Sequence, residues 1–91
     1  MTRRSLTTAR PRLLFCPRLG PGGSVRVYGR RPDGGRELLF AMHNAGEKWT
    51  PISARYELTT PKWLRGRPTE VEIELQGRWS QLWTLGDATF F

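Results

Sequence analysis

Val25 and Val27 alternate with Arg26 and Tyr28, a two-residue period that predicts a half-buried strand starting at Ser24. Arg31-Pro32-Asp33-Gly34-Gly35 follows, with proline to preset φ, aspartate to favour a turn and glycine to supply positive φ. A hairpin is expected, with residues 36–43 returning. On that return Leu38, Phe40 and Met42 take one side and Leu39, Ala41 and His43 the other. Apolar residues on both sides predict a central strand or a face covered by a partner. Ile52, Ala54, Tyr56 and Leu58 alternate with Ser53, Arg55, Glu57 and Thr59, giving another strand. The cleanest alternation sets Val71, Ile73 and Leu75 against Glu70, Glu72, Glu74 and Gln76. Gly77-Arg78 then predicts a two-residue turn with glycine first, and Trp79 to Leu85 a returning strand.

Between these runs lie breakers. Pro17 to Gly23 reads as a flexible linker rich in glycine and proline, and residues 1–11 as a polar, basic arm without periodicity. Arg12 to Cys16 predicts a short strand or an extended apolar clamp. Thr60-Pro61 could open one helical turn through Leu64, with threonine as N-cap and proline at the first helical position. The expected architecture is all-β: a small antiparallel barrel or sandwich of five to six strands, SH3-like or OB-like, carrying an extended basic N-terminal arm. Residues 1–23 form the arm and linker, and 24–91 the β domain.

A chain of 91 residues makes one domain, and at this size it buries only about 60–65% of its unfolded surface. Four tryptophans help to offset a low apolar share of 37%. One cysteine, Cys16, rules out an intrachain disulfide and favours an intracellular or virion-interior setting over secretion. No apolar run approaches the roughly 20 residues that span a bilayer. Residues 1–19 are rich in arginine and free of acids, which also suits an organellar import segment, although Pro11 and Pro17 interrupt a long helix there.

Charge changes the picture most. The net charge is +7, and residues 1–36 hold nine arginines against one acid, Asp33, for a net +8. Residues 37–91 hold six basic and seven acidic residues. A positive field confined to the first third predicts an anionic partner, nucleic acid or an acidic protein surface. The candidate contacts are Arg3, Arg4, Arg10, Arg12 and Arg18 on the arm, and Arg26, Arg30, Arg31 and Arg36 on the first hairpin. Lys62, Trp63, Arg65 and Arg67 add an aromatic among cations, where Trp63 either stacks a base or plugs the end of the barrel.

Other chemistries are poorly supplied. One cysteine and one histidine cannot build a structural zinc site. Glu70, Glu72 and Glu74 share a strand face, which more often meets basic residues on neighbouring strands, here Arg55 or Arg78, than a cation. Cys16 and His43, with Asn44 as orienter, make a weak catalytic set. Gly20 to Gly23 lacks the Lys-Ser/Thr of a phosphate loop. No enzyme, metal or cofactor is expected. The expected function is a non-enzymatic binding protein that engages nucleic acid or a nucleoprotein through its arginines. The alternative is a cement or decoration subunit of a large assembly such as a virion, docking through the arm, Leu39, Phe90 and Phe91.

Overall fold

The computed structural model describes residues 1–8, 12–51, 56–59, 61–64 and 66–81. Eight strands follow one another: β1 (Thr2–Thr8), β2 (Arg12–Phe15), β3 (Arg18–Leu19), β4 (Ser24–Arg30), β5 (Arg36–His43), β6 (Tyr56–Thr59), β7 (Thr69–Gln76) and β8 (Trp79–Gln81). All pairings are antiparallel. They give a four-stranded sheet in the order β1-β7-β4-β5 and two small sheets, β2-β6 and β3-β8. The class is all-β, as the alternation implied, but the three sheets do not close into a barrel among the described residues. No helix among them is long and apolar enough to cross a membrane.

The strands with clean alternation form as expected over Ser24–Arg30 and Thr69–Gln76, and the predicted 52–59 strand is seen as Tyr56–Thr59, residues 52–55 lying outside the described residues. Val25, Val27, Val71, Ile73 and Leu75 are fully buried on one face of the large sheet. The 24–43 hairpin is closed by the predicted turn, in which Asp33 Oδ1 accepts from the Gly35 amide at 2.8 Å and Gly34, at φ 92°, supplies the positive φ.

Residues 1–23 differ from the expected arm and linker. Thr2–Thr8 is a strand laid along β7, Thr2 opposite Leu75 and Thr8 opposite Thr69. Phe15, Cys16 and Leu19 are in the core at 1% exposure or less. Phe15 meets the Phe40 ring edge-on at 4.8 Å, and both lie against Tyr56. The supposed flexible linker is a tight crossing of two backbones. Gly23 donates to the Gly20 carbonyl, Gly20 to that of Arg78, and Gly22 to that of Asn44. A Cβ on Gly23 would stand 2.1 Å from the Arg78 oxygen, and one on Gly77 2.8 Å from the Gly22 oxygen. At Gly20 and Gly23 glycine is there for close approach, while Gly22 at φ 80° and Gly77 at φ 78° also supply positive φ. Over its described residues Trp79–Gln81, β8 pairs with β3 rather than with β7, and the rest of the expected 79–85 return lies outside the described residues.

Among the described residues strand β5 is the last strand of its sheet rather than a central one. Its two-sided apolar pattern has a local cause. A bulge between Val27 and Tyr28 takes Phe40 and Leu38 as successive partners and skips Leu39. Leu39 and Phe40 therefore both pack against the core, while Leu38 is 52% exposed. Residues 61–64 form a turn in which the Leu64 amide donates to the Pro61 carbonyl at 3.0 Å, in place of a helical turn.

Candidate anion-binding groove

The pleat puts Glu70, Glu72 and Glu74 of β7 on the outer face of the large sheet, beside Arg3 of β1 and Arg26, Tyr28 and Arg30 of β4. The acids meet arginines, as their placement on one strand face implied; among the described residues the partners are Arg36, Arg3 and Arg30 rather than Arg78, and Arg55 lies outside the described residues. Arg36 reaches across β4, its guanidinium 4.1 Å from the centre of the Tyr28 ring, and donates to Glu72 at 2.8 Å and Glu74 at 3.0 Å. Arg3 adds a looser pair with Glu74 at 3.6 Å, and Arg30 one with Glu70 at 3.9 Å. Glu74 is 8% exposed, and the hydrogen bond from Arg36 holds its carboxyl below the ordinary carboxylate range against the opposing effect of burial. The same bond pushes the Arg36 pKa up. Part of the N-terminal positive charge is thus matched by acids of the same face.

One end of that sheet gathers three arginines, two of them held only by loose ion pairs. The 31–35 turn and the stretch after Gly66 stand side by side and enclose an open groove of about 310 Å³ lined by Arg30, Arg31, Pro32, Arg67, Pro68, Thr69 and Glu70. Three guanidinium groups face one carboxylate. Asp33 holds Arg31 at 3.6 Å. Arg67 is exposed and has no ion pair among the described residues. Thr69 donates to the Arg67 carbonyl at 2.9 Å, which fixes the backbone that presents Arg67. Planar guanidinium forks lining one groove suit an anion with several acceptor oxygens.

The remaining predicted contacts scatter. Arg26 is exposed on the outer face without an ion pair among the described residues, and it borders a second groove with Ser24, Ala41 and His43. Arg4 is exposed on β1, and Lys62 in the 61–64 turn. Arg12 lies in β2 opposite Thr59. Arg18 is half-buried beneath Trp49, its guanidinium carbon 5.3 Å from the ring centre. Trp63 is a plug. Its ring covers Gly29, where a Cβ would stand 2.9 Å from it, and its Nε1 donates to Glu37 at 3.0 Å. Arg10, Arg65, Phe90 and Phe91 lie outside the described residues. Leu39, expected to dock a neighbouring subunit, packs inward.

Trp49 and Arg78 escaped the sequence reading. Trp49 sits in a stretch without periodicity, and only an exposed aromatic flanked by Lys48 could have flagged it. Among the described residues no group of three His, Cys, Asp or Glu could hold a metal. Cys16 is buried and His43 exposed. Compared with known proteins, the chain matches no family model, no curated protein and no solved structure.

Proposed function

We propose that this protein is a non-enzymatic binding module that holds the phosphate backbone of a nucleic acid, with Arg30, Arg31 and Arg67 as its principal grip. The observation that carries the reading is the convergence of these three arginines, from segments 36 residues apart, on a single groove with one acid in it. A net charge of +7 adds long-range attraction, and phosphate neutralisation releases counterions and supplies affinity without choosing a sequence. Arg26 extends the track along β4. Arg3 and Arg36 serve chiefly to hold Glu72 and Glu74. The proposed complete form of the three sheets is a small SH3-like or OB-like barrel within a cell or a nucleoprotein particle. The test is fluorescence anisotropy of a labelled mixed-sequence single strand at about 50 mM salt, where nonspecific binding of this kind is strong. Binding that weakens steeply with added salt supports the reading, and no binding by the folded protein at that salt removes it.

A further inference from the structure

At the other end of the β4-β7 pair stands a second constellation. Asn44 Nδ2 donates to the carbonyls of Leu19 at 3.1 Å and Lys48 at 2.9 Å. Thr50 receives the Leu19 amide on its hydroxyl and returns its own amide to the Leu19 carbonyl, both at 2.9 Å. These bonds pin the 44–50 loop over β3 and set Trp49 above Gly20, where a Cβ would stand 2.8 Å from the indole and 2.9 Å from the Arg78 Cβ. Trp49 is nevertheless 40% exposed. For a ring able to bury about 150–250 Å², that leaves on the order of 60–100 Å² of indole for something else.

The charges around this ring are unusual. Arg18 lies over it with its Nε buried and without a hydrogen-bond partner, and it has no ion pair among the described residues. Lys48 and Arg78 are exposed beside it, also without ion pairs among the described residues. An aromatic that served only as a plug would be covered. An arginine that served only structure would have an acid, as Arg36 has. A pinned, half-open indole with Arg18 over it, Arg78 close by and Lys48 next to it in the chain, all three without an ion pair among the described residues, is an arrangement that can stack a base and hold its flanking phosphates.

We infer that Trp49 is a base-stacking platform for single-stranded nucleic acid, with Arg18, Arg78 and Lys48 as its phosphate contacts. The inference rests on the nucleic-acid reading above and narrows it, because a base paired within a duplex has no free face to offer. Seven residues of β4 separate this platform from the Arg30 groove, about 20 Å at 3.3 Å per residue. A strand touching both would be about six nucleotides long at a stacked spacing of 3.4 Å.

The test compares two polyanions, an oligothymidylate of about twelve nucleotides and long-chain inorganic polyphosphate, which has the charge but no bases. Trp49→Phe keeps an aromatic face. Trp49→Leu keeps apolar bulk over Gly20 without one, so both variants retain packing, which thermal melts check. Leucine is expected to weaken oligothymidylate binding about tenfold or more while phenylalanine stays within a few-fold, and both should bind polyphosphate like the parent. If leucine leaves oligothymidylate binding unchanged, or weakens both polyanions equally, the platform is refuted while the groove stands. If the parent protein binds neither polyanion, the platform and the nucleic-acid reading fall together.

Discussion

Replacing Glu72 and Glu74 together by glutamine is expected to make the protein bind nucleic acid better and fold less stably. The two carboxylates hold Arg36 through contacts of 2.8 and 3.0 Å, and Glu74 draws in Arg3 at 3.6 Å. Losing both charges raises the formal net charge from +7 by two and frees two guanidinium groups on the outer face. Each new phosphate contact steepens the salt dependence of single-strand binding by about 0.7 in log–log slope, so two add about 1.4. Across the fourfold range from about 50 to 200 mM salt that is a further factor of about seven in the ratio of affinities. Stability moves the other way. The charge-assisted bonds to Glu72 and Glu74 are partly screened by solvent, because the Arg36 side chain is 43% exposed, so the loss of stability is small beside the gain in binding. Anisotropy titrations at several salt concentrations measure the first effect, and urea denaturation the second. An unchanged salt slope in the folded double variant would refute the placement of the nucleic-acid strand along this face.

Further outcomes follow from the same structure. The Glu74 carboxyl is held below its ordinary value of 4.5, so its contribution to stability is fully present above that pH and is lost as pH falls through the lowered folded value. Thermal melts between about pH 3 and 7 should show an acid-side decline that Glu74→Gln flattens. Gly29→Ala sets a Cβ 2.9 Å from the Trp63 ring and 3.1 Å from Leu39, and the resulting overpacking should cost about 1–2 kcal/mol net of the entropy gained over glycine, read in urea denaturation. The Cys16 thiol is 1% exposed and should react with a bulky disulfide reagent only as fast as the chain unfolds.

The strands legible in the sequence are those with one buried and one solvated face. Val71-Ile73-Leu75 and Val25-Val27 could be assigned because a period of two leaves no other way to bury them. Thr2–Thr8 could not, because the segment carries almost no hydrophobic period. Its pairing is set by β7, a partner 60 residues away in sequence. Gly20 to Gly23 misled for a related reason. Glycine marks both a flexible joint and a place where backbones touch, and only the position of Arg78 tells which. The candidate site was half visible. Arg30, Arg31 and Arg67 were named from composition, but their meeting in one groove depends on the pairing of β4 with β7. The neutralisation of Arg36 by Glu72 and Glu74 depends on the same pairing. Trp49 had no pattern to announce it.

On the function proposed above, nucleic acid is held by the guanidinium groups at the Arg30 end of the large sheet. The most direct measurement is the salt slope of single-strand binding for Arg31→Ala/Arg67→Ala beside the parent, with melts confirming that both are folded. Arg30 and Arg31 are each loosely offset, by Glu70 at 3.9 Å and Asp33 at 3.6 Å, and Arg67 has no ion pair among the described residues, so the double variant removes the unpaired guanidinium and one of the two loosely held ones. The account predicts a slope shallower by about 1.4 and an affinity at 50 mM salt lower by roughly an order of magnitude. A double variant that binds with the parent's slope and affinity would contradict it.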